Sequence, residues 1–186
     1  MAVCVTTMPA ANADDCTLNL HYGRIDAVLY TRAETTDALT DAADDTEWAT
    51  RISNSTSLTS SGTAAPIRYL YTVGEWPLAE RAEIEVSAGR RAFTTPIHNI
   101  TLDVDDTGDT NAALLAAEQG TTKRRRVWFI INGQLWGGNS GYLMDMTFLG
   151  RIVTRSRQEK QIIQIALRYE GNQGAPIASV VPILTP

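Results

Sequence analysis

Cysteine and histidine are rare in this sequence. Among its 186 residues are two cysteines, Cys4 and Cys16, and two histidines, His21 and His98. The cysteines are twelve positions apart near one end, which suits neither a disulfide scaffold nor paired zinc ligands. We interpret them as small apolar side chains, with a disulfide in this segment as the alternative. Each histidine lies in an alternating pattern without a second ligand or partner base, so we expect surface or rim histidines and predict no metal and no cofactor.

Long hydrophobic runs and catalytic motifs are also missing. The run VWFII at 127–131 is far shorter than the roughly 20 apolar residues that cross a bilayer, so we expect no membrane segment. The N-terminal stretch has neither a basic region nor a continuous apolar region, and we expect a mature sequence that stays in the cytosol until it is used. No nucleophile elbow, phosphate-binding loop, dinucleotide fingerprint or zinc-protease motif occurs. We therefore predict that the protein is not an enzyme.

One acidic stretch, DVDDTGD at 103–109, has part of a calcium-binding pattern. The residues that match the first positions of an EF-hand loop are Asp103, Asp105, Thr107 and Gly108. Leu114 occupies the position where a bidentate glutamate is needed, so we interpret the stretch as an acidic turn before a helix, with weak cation binding as the alternative. A hydrolase would need a carboxylate pair among Asp103, Asp105 and Asp106, which spacing alone does not establish.

Alternation of apolar and charged residues is the dominant pattern along the chain. In RAEIEVSA, Ile84 and Val86 face one way while Glu83 and Glu85 face the other, which is typical of half-buried strands. The segments that we predict as strands are 24–31, 66–73, 81–88, 99–106, 123–133, 141–155 and 160–171. The expected fold is mainly β, either a β-sandwich or a small β-barrel, with antiparallel strands and one or two short flanking helices.

Two short helices are expected beside the strands. In the segment 46–52, Trp48 and Ile52 share a face, and Asp45 or Thr46 is suited to cap the start. The segment 110–120 combines good helix formers with a terminal glycine.

The predicted organisation is one β-rich domain over 24–170. It is flanked by an N-terminal arm over 1–23 and a C-terminal arm over 171–186. A loop at 53–65 is rich in serine and threonine and too polar to cross a core. The C-terminal arm contains the apolar stretch VVPIL, which needs a surface to dock against.

Four consecutive cations precede the apolar run VWFII: Lys123, Arg124, Arg125 and Arg126. Strand alternation places Arg124 and Arg126 on the side of Trp128, and Lys123 and Arg125 on the side of Val127. The cations therefore do not form a one-sided groove of the kind that binds single-stranded nucleic acid.

The charge balance also disfavours a nucleic-acid-binding domain. The chain has 21 acidic and 16 basic residues and a formal net charge of -5, whereas dedicated nucleic-acid domains are usually basic. We predict instead that the arginines pair across a subunit boundary with acidic strands such as the one that contains Glu83 and Glu85.

The order of these features resembles tail-tube-like structural virion proteins of tailed bacteriophages that infect Bacteroidetes. The likeness spans most of the chain and includes the short motifs D-x-T-E-W at 44–48 and G-x-L-W-G at 133–137. It implies a β-sandwich or small barrel whose subunits form a ring, commonly hexameric, and rings that stack into a tube through loops and terminal arms. It also implies an acidic lumen through which DNA passes without specific binding.

The expected partners are further copies of the chain and other phage tail or neck proteins, in a virion assembled in the host cytoplasm. The residues predicted to make contacts between stacked rings are Cys4 and Cys16 in the N-terminal arm and Ser57 and Thr63 in the polar loop. The residues predicted to make lateral contacts are Arg124, Arg125 and Arg126, facing Glu83 and Glu85.

Other functions remain compatible with the sequence. Ring-forming connectors, tail terminators and capsid-decorating proteins share the same general fold. A carbohydrate- or protein-binding module would place Trp128, Trp136 and Tyr142 on one exposed patch near the turn at 137–141, whereas core packing is the other fate of large aromatic side chains.

Reversing the charge of Arg124 and Arg126 to Glu tests the lateral contact. We expect assembly to be impaired, because two attractive pairs become repulsive, while the single chain still folds. Light scattering measures the assembly and circular dichroism the fold. Unchanged assembly with an unchanged spectrum would remove this assignment.

Overall fold

The computed structural model describes residues 24–31, 38–53, 65–81, 83–87, 90–105, 118–131, 133–152, 162–172 and 176–180. This part of the chain contains one helix, α1 (Asp45–Ser53), and ten strands. The strands are β1 (Arg24–Thr31), β2 (Ile67–Glu75), β3 (Glu83–Ser87), β4 (Arg90–Phe93), β5 (Ile97–Asp105), β6 (Thr122–Ile131), β7 (Gln134–Trp136), β8 (Tyr142–Ile152), β9 (Ile162–Glu170) and β10 (Pro176–Val180). Seven of them fall on the predicted segments, while β4, β7 and β10 were not predicted.

Backbone pairing closes six of these strands into a barrel. Their order is β1, β2, β5, β9, β8 and β6, and β6 then pairs back with β1. Every pairing around the barrel is antiparallel. The prediction of a mainly β fold with a flanking helix is confirmed, and of the two predicted architectures the barrel is the one observed.

Side chains that alternate along β5, β8 and β9 fill the barrel. On β8, Met144 and Met146 are buried, while the alternate residues Asp145 and Thr147 lie half-buried on the outer side. This is the period of two that a strand imposes on its side chains. The other buried apolar residues of these strands are Ile100, Leu102, Val104, Tyr142, Phe148, Ile163, Ile165 and Leu167.

The second half of strand β6, residues 127–131, is buried on both of its faces. Val127, Phe129 and Ile131 point into the barrel, whereas Trp128 and Ile130 belong to a second apolar cluster on its outer side. Strand β1 also contributes to both clusters. The apolar run at 127–131 is unbroken because neither face of this half of the strand meets water.

Helix α1 covers the second cluster through Trp48. The indole has no exposed surface, lies edge-to-face against Trp128 with ring centroids 5.5 Å apart, and donates from Nε1 to the Ala42 carbonyl at 3.0 Å. Ile52 packs against the same cluster, which confirms the predicted shared face. Truncating a buried tryptophan of this kind to alanine typically costs about 3–5 kcal/mol.

The N-terminal cap of α1 is Asp44, not Asp45 or Thr46. Its Oδ1 accepts the backbone N–H of Thr46 at 2.9 Å, and its carbonyl accepts the N–H of Trp48 at 3.3 Å. The prediction was off by one or two residues because the helix begins at Asp45, and the capping acceptor precedes the first helical residue.

A buried ion pair ties α1 to the chain before and after it. Arg51 has no exposed surface, and its Nη1 lies 3.3 Å from Oε1 of Glu47. The same guanidinium donates to the carbonyls of Ala38 at 3.2 Å and Ala65 at 2.9 Å. Oε2 of Glu47 accepts the N–H of Thr40 at 2.9 Å. The planar guanidinium satisfies several acceptors at once, which suits arginine for this position.

The turn at 137–141 wraps the indole of Trp128. The indole Nε1 donates to the Gly138 carbonyl at 2.8 Å. A Cβ added at Gly137 or Gly141 would lie 2.7 or 2.8 Å from an indole carbon. These two glycines therefore allow the backbone to approach the ring, in addition to adopting positive φ angles of 126° and 65°.

Several predicted segments lie partly or wholly outside the described residues. The N-terminal arm lies outside them, as does all but the two ends of the polar loop. Of the second predicted helix only 118–120 is described, and Gly120 there has φ of 72°. Part of the predicted C-terminal arm is a strand, since β10 pairs with β7.

Replacing Gly141 by Ala is expected to lower the free energy of unfolding by about 2–4 kcal/mol, because the new methyl group meets the indole and the left-handed φ is unfavourable. Gly133 is the matched control, since it has φ of 72° but no atom within 4 Å of the added Cβ. Gly133→Ala should cost only about 1–2 kcal/mol. Urea unfolding measures both variants, and equal losses would contradict the packing argument.

Candidate inter-subunit surfaces

Strands β3 and β4 form a two-stranded ribbon, here called the ribbon. Ile84 is paired with Ala92, and Glu85 with Arg91. In the part of the chain that the structure describes, neither strand pairs with or packs on another helix or strand. Ile84 is 52% exposed. Of the predicted apolar face of this strand, Ile84 is therefore exposed among the described residues, and the side chain of Val86 lies outside the described part of the structure.

The ribbon is poorly stabilised by its own contacts. An isolated pair of strands is at best marginally stable in water, because it buries almost no apolar surface. Fully burying an isoleucine side chain is worth about 1.5–3 kcal/mol relative to leaving it in water. A second surface that covered Ile84 would therefore stabilise the ribbon appreciably.

The base of the ribbon is joined to the barrel at Glu80. Its backbone N–H and carbonyl exchange two hydrogen bonds with Ile97, of 2.8 and 3.0 Å. Leu78, two residues earlier, is 94% exposed. The segment after β2 thus contacts the barrel through Trp76, whose indole donates to His98, and again at Glu80, while Leu78 between them is exposed.

His98 lies inside the chain and not at its surface. It is 5% exposed, and its Nδ1 accepts the indole N–H of Trp76 at 2.9 Å. Its ring stacks on Tyr169 with centroids 5.9 Å apart. The expectation of a surface or rim histidine is wrong, because His98 shares the inward face of β5 with Ile100.

The basic strand divides its cations between two faces, as alternation predicted. Lys123 and Arg125 both bind one carboxylate oxygen of Glu118, each at 2.7 Å. Arg125 is 1% exposed and lies over the ring of Tyr30, 5.2 Å from its centroid. Its side chain is buried because it shares the inward face of β6 with Val127. Arg125 is therefore not placed where the side chain of a partner would reach it, which corrects its assignment to a lateral contact.

Glu118 is held in its charged form by these cations. Burial acts to raise the pKa of the carboxyl group, but the hydrogen bond from Lys123 and the charge and hydrogen bond of Arg125 outweigh it and lower the pKa below its ordinary value. A buried ion pair of this kind is costly to break from one side, since the remaining charge would stay buried without its partner.

The outward arginines have neighbours within the chain. Arg126 donates from Nη1 to the Ser140 carbonyl at 2.8 Å. Arg124 is exposed and is paired in register with Asp145, which is paired in turn with Arg168. Arg168 also forms an ion pair of 2.7 Å with Glu170. Arg124, Asp145, Arg168 and Glu170 therefore form one row of charged side chains across three strands. Pairing of Arg124 and Arg126 with Glu83 and Glu85 of another subunit remains a prediction.

A cleft of about 700 Å³ opens on the outside of the barrel. It lies where β2 separates from β5 after three paired residues, the last of which joins Gly74 to Leu102. The residues that line the cleft are Arg24, Val73, Gly74, Glu75, Trp76, Thr101, Asp103 and Gln164. Val73 is 52% exposed, and Tyr71 on the same face of β2 is 63% exposed. No sequence pattern indicated this cleft.

The three aromatic residues near the glycine-rich turn are packed in the fold. Trp128 has no exposed surface and Tyr142 is 7% exposed. Trp136 is half-buried and packs against the barrel core. These residues do not form the exposed aromatic patch that a sugar-binding module would need.

Most of the remaining predicted site residues lie outside the part of the chain that the structure describes. Cys4, Cys16, His21, Ser57 and Thr63 lie outside the described residues, as does the acidic stretch after Asp105. Oδ1 of Asp103 accepts a hydrogen bond of 3.2 Å from Gln164. Within the described ranges, no group of three or more His, Cys, Asp or Glu residues is arranged to hold a metal ion.

The fold and its surfaces define an antiparallel β-barrel with α1 on one side and a projecting ribbon. No protein-family model, no curated protein and no solved structure matches this chain. In the described part of the chain, the single helix α1 is too short to cross a membrane.

Replacing Glu118 by Gln should lower the free energy of unfolding at pH 7 by about 3–5 kcal/mol, since Arg125 would keep its charge inside the barrel. Because the folded-state pKa of Glu118 is lowered, its stabilisation in the wild type is complete above the unfolded-state pKa, about 4.3, and disappears as the pH falls through the folded-state value.

Urea unfolding between pH 3 and pH 7 measures this dependence. Glu118→Gln should show a weaker loss of stability on acidification than the wild type. Glu170→Gln is the matched control, because its ion pair is exposed and contributes at most about 1 kcal/mol. The same pH dependence in the wild type and Glu118→Gln would contradict the assignment.

Proposed function

We propose that this protein is a structural subunit of a phage tail, which assembles with further copies of itself into rings that stack into a tube and conduct DNA. The observation that supports the proposal best is the ribbon. It extends from a completed barrel, exposes Ile84, and has no packing partner among the described elements. Because an isolated two-stranded ribbon is at best marginally stable in water, a surface on another molecule that covers Ile84 would stabilise it.

The closed barrel restricts how subunits associate. Each of the six strands pairs on both sides within the chain, although β2 and β5 pair over only three residues. The barrel therefore offers a neighbouring barrel little free strand edge to extend. Contacts between barrels must therefore use outer side chains, the ribbon or the short outer strands β7 and β10.

The asymmetry of the ribbon favours rings over simple dimers. A projecting element on one subunit and a receiving surface on the next form a heterologous contact, which closes into a ring when the rotation per subunit divides a full turn. Stacking of such rings generates a tube, the assembly that the sequence resemblance implies.

The charge distribution is compatible with a DNA conduit. The chain has a net charge of -5, and like charges reduce adhesion of the phosphate backbone. Several cations on the barrel are already paired with carboxylates of the same chain, as Arg125 is with Glu118 and Arg168 with Glu170. DNA in the lumen would therefore meet few uncompensated cations from these strands.

Replacing Ile84 by Lys is expected to shift the protein from rings or tubes to single subunits, because a charge would replace the apolar contact of the ribbon. Leu149→Lys is the matched control: Leu149 is 51% exposed on β8 and should tolerate the change. Light scattering over a concentration series measures the mass, and negative-stain imaging shows the symmetry and length of the largest species.

Long stacked rings in the wild type would support a tail tube, and single closed rings a connector or terminator. A wild-type protein that remains a monomer at every concentration, without rings in the images, would contradict the proposed function.

A further inference from the structure

One ring nitrogen of His98 has two possible partners. Nδ1 lies 2.9 Å from the indole Nε1 of Trp76 and 3.1 Å from the carbonyl oxygen of Pro77. The indole N–H can only donate a hydrogen bond, and the carbonyl oxygen can only accept one. Nδ1 must therefore lack a proton to bind Trp76 and carry one to bind Pro77, so it cannot serve both partners at once.

The surroundings of the ring leave this choice to the ring itself. His98 is 5% exposed and stacks on Tyr169 of β9, whose hydroxyl group donates to the Asn172 carbonyl. No described charged side chain forms an ion pair with His98. The carboxylates of the neighbouring segment after β2, Glu75 and Glu80, are exposed. Histidine is the side chain that ordinarily changes its charge between about pH 5 and pH 8.

The neutral ring fixes Trp76 against the barrel core. With the proton on Nε2, Nδ1 accepts the indole N–H. The indole then packs edge-to-face on Phe129, Tyr142 and Tyr169, with ring centroids 5.0, 5.1 and 6.3 Å away. His98 thus supplies the polar partner of a side chain whose other contacts are aromatic.

The protonated ring no longer accepts from Trp76, because both of its nitrogens carry hydrogen atoms. Nδ1–H and the indole N–H would face each other across 2.9 Å, whereas the Pro77 carbonyl oxygen is placed to accept from Nδ1. The indole N–H then has no partner among the described residues. A donor left without a partner away from water is unfavourable, so the indole is driven out of this position.

The cleft beside β2 and β5 gives the indole room to move. Trp76 is half-buried and forms part of the lining of this cleft of about 700 Å³. An indole that turns towards the cleft can donate to water. Protonation of His98 therefore changes both the packing against the barrel core and the shape of the cleft.

We propose that His98 is a proton-operated switch for Trp76. The neutral ring holds the indole against the barrel core, and the protonated ring binds the Pro77 carbonyl and releases the indole towards the cleft. One proton thus selects between two arrangements of the segment that leads from β2 to the ribbon. The switch belongs to a single chain and does not rest on the proposed assembly.

NMR of the ring nitrogens in isotope-labelled histidine reads the switch directly. The chain has two histidines, so the signals that remain in His21→Asn belong to His98. At about pH 8 we expect His98 to be neutral with its proton on Nε2, and at about pH 5 to carry protons on both nitrogens.

Hydrogen exchange of the indole N–H groups measures the consequence. Trp48 and Trp128 are internal controls, since their N–H groups donate to the carbonyls of Ala42 and Gly138, which do not titrate. From about pH 8 to about pH 5, the protection of the Trp76 N–H should fall at least tenfold relative to these controls. The signal of Trp76 is identified by its loss in Trp76→Phe.

His98→Asn removes the titration but keeps an acceptor, because the amide oxygen of Asn can occupy the position of Nδ1. In this variant the relative protection of Trp76 should no longer depend on pH, whereas His21→Asn, the matched control, should behave like the wild type. If His98→Asn does not fold, the ring-nitrogen spectra and the indole exchange of the wild type decide. Where the wild type forms large assemblies, the spectra are recorded in Ile84→Lys.

A proton on Nδ1 at the higher pH, a ring that stays neutral at the lower pH, or unchanged protection of Trp76 would overturn the switch. Equal losses at Trp48, Trp76 and Trp128 would show general unfolding and would also overturn it. The same is true of a loss at Trp76 that persists in His98→Asn, which would assign it to another group. A loss confined to Trp76 and absent in His98→Asn would support the switch. None of these results measures assembly, so the proposed function is tested separately.

Discussion

The pairing of β1 with β6 is the constraint on which the rest of this structure depends. It closes the barrel through registered partners such as Leu29 with Trp128 and Val28 with Phe129. The two strands are also the only described ones with buried apolar side chains in both clusters, inside the barrel and beneath α1. Closure and docking of the helix are therefore coupled, since a strand pair covered on both faces has no side that tolerates water.

Closure also determines what is left on the surface. Once six strands have paired on both edges, the ribbon between β2 and β5 has no position in the barrel and extends from it. The departure of β2 from β5 opens the cleft at the same place. One feature of the topology thus produces both a projecting ribbon with an exposed Ile84 and an open cleft on the outside of the barrel.

Two buried arginines hold parts of the chain together that the strand pairing does not connect. Arg51 joins α1 to the segments before and after it, and Arg125 holds Glu118 against the end of the barrel. Replacement of such pairs by apolar residues is often neutral for stability. Their role here is best understood as positional, because each guanidinium fixes several acceptors in one geometry.

The sequence by itself determined the seven main strands, the position of α1 and the division of the cations at 123–126 between two faces. These features follow from local periodicity, which strands and helices impose directly on neighbouring residues. The ion pair of Glu47 with Arg51 also had a visible signal in its spacing of four residues. The depth of His98 and Arg125, the partner role of Glu118 and the cleft beside Val73 were decided by the tertiary structure alone. Alternation shows that a side chain faces one side of a strand, but only the closed barrel decides whether that side is the interior, and only the departure of one strand from another creates a cavity.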